Sequence, residues 1–208
     1  MDKPKFILWD FDGVIINSDT IRTNGFARVL QSYPEHQVAQ LLEYHQANGG
    51  LSRYHKFSYF FEEIRKEPVS EEQIVALAEA FSRIMRQAMT DKSLLIEETV
   101  SFIKAHHKRI PMHIVSGSDQ QELRYLCQCL EIDSYFVSIH GSPTPKMQLV
   151  KDLLLSYQYK PEEGLLIGDA INDFDAAQAS QIAFWGYGND TVRTLSTTNF
   201  SLNIEHII

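Results

Sequence analysis

Cysteine is nearly missing from this chain of 208 residues, which has two, Cys127 and Cys129. They fall two positions apart in an apparent helix and therefore point to different faces, so a metal or redox role is not expected of them. Cysteine use this sparse fits a reducing compartment. Long apolar runs are missing as well, and none approaches membrane-spanning length. The N-terminal run Phe6-Ile7-Leu8 meets Asp10 too soon for a signal peptide, and a cytoplasmic location is the expectation. Positive charge is scarce: 19 Lys and Arg stand against 27 Asp and Glu, a formal net charge of −8. A nucleic-acid surface needs clustered Lys and Arg, so that class of partner is not expected. An anionic small-molecule substrate stays open, because local charge at a site can oppose the global sign. Internal repeats and low-complexity tracts are also lacking. The length suits one domain, or one domain carrying an insertion, as a monomer or a homodimer.

What is present is a division of the chain into three by periodicity. Residues 5–10 read as a strand. Residues 18–90 read as helices only, near 19–32, 35–47 and 53–65, then a fourth opened by Ser70 and Gln73 in capping-box spacing. Ile74, Leu77, Phe81, Ile84, Met85 and Ala88 are predicted on one face of that last helix. Asn48-Gly49-Gly50 and Pro68 separate neighbours. From residue 97 onward strands alternate with helices: strands at 110–115, 135–139, 165–167 and 182–185, and helices opened by Ser118 with Gln121, by Thr144 with Pro145, and through 173–177. The tail is ambiguous. Alternation of this kind predicts an α/β fold with a doubly wound parallel sheet. We expect a core of residues 1–17 and 91–208, and a helical cap of residues 18–90 hanging over the crevice at the carboxyl ends of the strands.

Chemistry-bearing residues fall at those ends. Asp10 and Asp12 close the first strand, with Gly13 turning the chain behind them. Two carboxylates so close repel unless a cation or a shared proton compensates. Ser116 closes the second strand, Lys146 follows the third, and Asp169 closes the fourth. A phosphoryl group needs an in-line nucleophile, cations on its equatorial oxygens and a proton for the leaving oxygen. Asp10 suits the nucleophile, and Asp12 suits the general acid and then the base. Lys146 can hold nucleophile and phosphate by charge, and Ser116 with the Gly117 N–H can bind a phosphate oxygen. Asp169, the Asp10 carboxylate and the Asp12 carbonyl offer the oxygen set that Mg2+ prefers. Each residue also has an ordinary reading: a turn for Asp10, Asp12 and Ser116, a solvated first-turn lysine for Lys146, and helix-start acids for Asp169, Asp173 and Asp175.

Together these residues resemble the haloacid dehalogenase superfamily of phosphohydrolases. Its motifs are met in order by Asp10-Phe11-Asp12-Gly13-Val14, by Ile114-Val115-Ser116-Gly117, by Lys146 in Gly141-Ser142-Pro143-Thr144-Pro145-Lys146, and by Gly168-Asp169-Ala170-Ile171-Asn172-Asp173. The resemblance implies Asp10 as nucleophile, Asp12 as acid/base, and Ser116 and Lys146 on phosphate, with Gly13 and Gly117 beside the substrate. It implies Mg2+ on Asp10, Asp12 and Asp169, with Asp173 supporting the metal site. Asp12 favours phosphate chemistry over dehalogenation, since dehalogenase members lack an acid there. Many capped relatives have Asp-Ser-Glu and then His where this chain has Asn17 and Arg22.

Within the cap, Arg53 and Lys56 beside the Gly49-Gly50 break can grip a substrate, although a solvated helix face is the commoner fate of such residues. Tyr54, Phe57, Tyr59, Phe60 and Phe61 read as packing. The expected reaction is hydrolysis of a small phosphorylated metabolite. A sugar-phosphate mutase, or a phosphonate hydrolase using Lys56 as a Schiff base, would keep the same core. A receiver-type signalling module fits poorly, because there the phosphorylated Asp follows the third strand and the lysine follows the last.

Overall fold

The computed structural model describes residues 3–202. Five strands form one parallel sheet: β1 (Phe6–Trp9), β2 (Met112–Asp119), β3 (Ser138–Ser142), β4 (Gly164–Gly168) and β5 (Ala183–Gly186), in the order β3-β2-β1-β4-β5. The predicted parallel α/β sheet is therefore observed. β1 is central, with Trp9 in register with Ile114 on one side and Ile167 on the other. Its four residues are all buried, as a strand covered on both faces requires. Alternate residues serve different cores. Ile7 and Trp9 join one apolar cluster, while Phe6 and Leu8 join a second with Val115, Leu166 and Phe184.

The first four helices of the chain follow β1: α1 (Asp19–Val29), α2 (Glu35–Ala47), α3 (Arg53–Tyr59, continued by a π-helical turn at Phe60–Arg65) and α4 (Glu71–Ala88). Ser52 caps α3 by accepting from the His55 N–H, and Ser70 caps α4 by accepting from the Gln73 N–H. The buried stripe of α4 is Ile74, Ala78, Phe81 and Met85; Leu77 and Ile84 are half-buried and Ala88 is exposed. Phe81 packs on Phe26 with ring centroids 4.4 Å apart, and the Arg53 guanidinium lies 4.6 Å from its centroid. The apolar cluster of these helices is continuous with the one on the Trp9 face of the sheet.

The remaining helices follow β-α alternation: α5 (Glu97–His106), α6 (Gln120–Cys129), α7 (Lys146–Tyr157), α8 (Ile171–Ala179) and the short α9 (Asp190–Arg193). Several details differ from the sequence reading, among them β2, which starts at Met112 and runs past Ser116 to Asp119. β3 begins at Ser138 rather than Tyr135, and Asp133–Tyr135 is a 3-10 turn. The strand carries polar residues because they satisfy one another: Ser138 Oγ lies 2.7 Å from both His113 Nδ1 and His140 Nε2. Asp119, not Ser118, caps α6, its carboxylate accepting from the N–H groups of Gln121 and Glu122. Pro145 takes the position before α7, so neither Thr144 nor Pro145 holds its predicted place and Lys146 is the first helical residue. Cys127 is buried and Cys129 half-buried, on one helix with no bond between them. No described helix is long and apolar enough to cross a membrane.

Removing the Phe81 ring empties the contact between α1, α3 and α4. Phe81→Ala is expected to cost about 3–5 kcal/mol in urea unfolding. A cost under about 1 kcal/mol would show that the interhelix core is loosely packed.

Candidate active site

Every strand end named from the sequence meets at one crevice. Asp10, Asp12, Gly13, Ser116, Gly117 and Asp169 line a cavity of about 750 Å³, together with Arg22, His45, Arg53 and Lys56 from the inserted helices. Asp10 leaves the central strand, its N–H held by the Ile167 carbonyl. Lys146, at the start of α7, places Nζ 2.7 Å from Asp10 Oδ1 and also donates to Asp173 Oδ1. Lys146 is thus not a solvated first-turn residue: it is buried between two carboxylates. Asp173 spends its other oxygen on the Ala170 N–H, so it caps α8 and anchors Lys146 at once.

Carboxylate oxygens of Asp10, Asp169 and Asp173 lie within 4.8 Å of one another. Burial, reinforced by Asp173 and Asp12 against the opposing pull of Lys146, raises the Asp10 carboxyl to about 7. Asp169 is raised to about 8, by burial and then by Asp10 and Asp173. Burial disfavours the charge of Lys146, but the two aspartates outweigh it and hold its ammonium above the usual lysine range. Acids pushed toward their neutral form by burial and by one another mark a place where one more cation is needed, and a hard, oxygen-only donor set suits a small dication.

Gly13 serves sterically. Its φ is +74°, and a Cβ there would sit 1.9 Å from Asp169 Oδ2, so only glycine admits that carboxylate. Ser116 is buried, its Oγ accepting from the Ser118 N–H and keeping its own proton to give. Gly117 lies against the inserted helices, since a Cβ would stand 2.4 Å from the Gly50 carbonyl oxygen. The Gly49-Gly50 break therefore closes directly over the strand ends.

Asp12 is more heavily engaged than its motif implies. Oδ1 accepts from Arg22 Nε at 2.8 Å and from Ser18 Oγ at 2.5 Å, and Oδ2 accepts from Ser118 Oγ at 2.6 Å. Burial alone would raise this carboxyl, but Arg22 and the two hydroxyls outweigh it and hold it below the usual range.

Arg53 and Lys56 are not a solvated helix face, since both are buried. Arg53 does not reach toward the Asp10 cluster either. It forms a bidentate pair with Glu122 of α6, at 2.5 and 2.8 Å, and donates to Ser82. Glu122 also accepts from Arg22 Nη1 at 2.7 Å. One carboxylate of the sheet-bearing part thus joins two guanidinium groups of the inserted helices, and Tyr54 adds a bond to Asp119 at 2.8 Å. Burial would raise Glu122, but the two arginines prevail and lower it. Lys56 Nζ lies 2.8 Å from His45 Nδ1 and 3.3 Å from the Gly49 carbonyl. Burial, with Arg22 and Arg53 nearby, lowers it to about 7, and burial with Lys56 lowers His45 to about 3.

Ser18, His45 and Glu122 escaped the sequence reading, Ser118 entered it only as a helix opener, and Arg22 only as a departure from pattern. A signal existed for three of them. Arg22, Glu122 and His45 each stand four residues from a buried apolar residue of the same helix (Phe26, Leu126 and Leu41), so each is a polar group on an apolar stripe.

A family model described as haloacid dehalogenase-like hydrolase matches residues 7–187. The chain belongs to this family. It is 25% identical over 179 residues to pyrophosphatase PpaX of Anoxybacillus flavithermus, covering 83% of this chain and 78% of that protein. It is 32% identical over 111 residues to a phosphoglycolate phosphatase of Photobacterium profundum, covering 50% of this chain and 48% of the relative. Among solved structures, a predicted phosphatase from Clostridium acetobutylicum has a TM-score of 0.74 at 13% identity, covering 96% of this chain and 93% of that one. A β-phosphoglucomutase from Clostridium difficile has a TM-score of 0.73 at 17% identity, covering 93% and 88%. At such identities these structures share the hydrolase fold and carry no activity across.

Glu122→Gln is expected to remove roughly 3–5 kcal/mol of stability in urea unfolding, because two buried guanidinium groups lose their charge partner. A loss below about 1 kcal/mol would place the network in solvent-like surroundings.

Proposed function

We propose that this haloacid dehalogenase-like hydrolase is a Mg2+-dependent phosphohydrolase acting on a small phosphorylated metabolite. The observation that carries the reading is Lys146 Nζ at 2.7 Å from Asp10 Oδ1, in a buried carboxylate cluster beside Ser116 and Asp169. Asp10 attacks phosphorus; its new P–O bond forms as the bond to the leaving oxygen breaks, giving an aspartyl-phosphate. Lys146 orients Asp10 and neutralises charge on the transferred group, and Ser116 Oγ with the Gly117 N–H binds an equatorial oxygen. Asp12 supplies a proton to the leaving oxygen, then takes one from the water that cleaves the aspartyl-phosphate. In the free protein Arg22, Ser18 and Ser118 keep Asp12 ionised, which suits the second step. An arriving phosphate dianion favours its protonated form, as any like charge does. Asp10, Asp169 and the Asp12 carbonyl would hold Mg2+, which supplies charge neutralisation for nucleophile and phosphate together. Asp173 would act through Lys146 rather than as a free ligand, since both its oxygens are engaged.

Hydrolysis of an aryl phosphate is expected with magnesium and absent with a chelator. Asp10→Asn is expected to lower kcat at least about a thousandfold. Activity that survives both manipulations would overturn the reading, and transfer of labelled phosphate to a sugar hydroxyl instead of water would make the enzyme a mutase.

Stability should report the metal independently. Asp10 and Asp169 have folded values of about 7 and about 8, above the ordinary 3.8. Their contribution is whole below that ordinary value and is lost as pH rises through the folded values. Magnesium binds the ionised cluster. The Tm gain it produces is therefore expected to be small near about pH 5.5 and larger near about pH 8.5. A gain independent of pH would place the ion elsewhere.

A further inference from the structure

Asp12 meets Arg22 in an incomplete way. A guanidinium presents Nε and Nη2 along one edge, and a carboxylate beside that edge commonly takes both, one on each oxygen. Here Asp12 Oδ1 accepts from Nε at 2.8 Å, while Nη2 is buried without a hydrogen-bond partner. Asp12 Oδ2 is given to the Ser118 hydroxyl instead, at 2.6 Å. A buried donor left unpaired costs free energy that a turn of the guanidinium onto Asp12 would recover. Arg22 is therefore held in place from its other side.

The residue on that side is Glu122 of α6. It is 0% exposed, and its Oε1 takes Nη1 of Arg22 at 2.7 Å. Glu122 cannot follow a turn of Arg22, because Arg53 clasps both its oxygens at 2.5 and 2.8 Å. The guanidinium is a rigid planar fork, so fixing Nη1 fixes where Nε and Nη2 point. Asp12 is left with two unlike oxygens. Oδ1 faces a guanidinium, which only donates, and the Ser18 hydroxyl at 2.5 Å. Oδ2 faces the Ser118 hydroxyl, and a hydroxyl can donate or accept. A proton on Oδ2 thus opposes no cation.

We infer that Glu122 is a positioning residue for Asp12: acting through Nη1 of Arg22, it confines that arginine to Oδ1 and leaves Oδ2 to deliver the proton to the leaving oxygen. The inference rests on the phosphohydrolase reading for the acid role of Asp12. In that step the bond from Asp10 to phosphorus forms as phosphorus releases the leaving oxygen. The Oδ2–H bond breaks, and its proton ends on that oxygen. Without Glu122, Arg22 turns its Nε–Nη2 edge onto both oxygens of Asp12, and the proton loses its place.

Two phosphates of similar size separate acid catalysis from general damage to the site. 4-Nitrophenolate departs without a proton, whereas the alkoxide of benzyl phosphate needs one. With magnesium present, Glu122→Gln is expected to lower kcat/KM for benzyl phosphate at least about tenfold more than for 4-nitrophenyl phosphate. Glu122→Leu combined with Arg53→Leu removes one charge of each sign and leaves Arg22 its bond to Asp12. This paired variant replaces the single one if that does not unfold cooperatively, and the same selective loss is expected. Phe81→Ala loosens the same helix contact without removing a charge, and the ratio between the two substrates is expected to stay at its wild-type value. A crystal structure of the paired variant is expected to show Arg22 Nη2 on Asp12 Oδ2. Equal loss on both substrates, no loss, the same change of ratio in Phe81→Ala, or Arg22 still meeting Asp12 through Nε alone overturns the inference. A wild type that hydrolyses neither phosphate overturns the phosphohydrolase reading, and the place of Arg22 in the paired variant still decides whether Glu122 holds it.

Discussion

Crowded negative charge at the end of β1 is the constraint on which the rest depends. Asp10, Asp169 and Asp173 share a space less than 5 Å across, in which they cannot all ionise without counter-charge. Lys146 supplies one positive charge and is held by two of the three acids. Burial, with the neighbouring acids adding to it, raises Asp10 and Asp169. Gly13 is bound up with this crowding, because a side chain there would displace the Asp169 carboxylate. The parallel sheet is what brings the acids together: β1 and β4 are neighbours, so their ends deliver Asp10 and Asp169 side by side.

The inserted helices bring a second set of charges with its own compensation. Glu122 binds Arg22 and Arg53, and Arg22 in turn binds Asp12. Buried pairs of this kind are weak evidence for stability, because desolvation offsets much of the attraction. Their effect here is geometric. They fix α1 and α3 against α6 with the Gly50 backbone over Gly117, and they leave Lys56 without an acid of its own. A positioning network and an unanswered lysine thus sit a few side chains apart in one wall.

Much of this was legible in the chain. Apolar runs with acids, a serine or a glycine at their ends disclosed the parallel sheet, and the order Asp10, Asp12, Ser116, Lys146, Asp169 disclosed the crevice. These signals are local in sequence, since a strand end and the turn after it are adjacent residues. Asp119 capping α6 and the start of β3 were misplaced for a related reason: Ser118 and Ser138 are committed to distant partners, Asp12 and His113, and no local rule shows that.

Sequence alone determined the class of fold and the acids, lysine and serine that share one end of the sheet, because hydrophobic period and turn chemistry are written residue by residue. Tertiary structure alone decided what each charge faces. Arg53 and Lys56 both read as a substrate grip or a solvated helix face, and the first is buried on Glu122 and the second beside a histidine; Asp12 reads as an acid/base and is held by Arg22. The reason is physical. Electrostatic pairing depends on distances through space between helices far apart in the chain, and those distances exist only once the helices have packed.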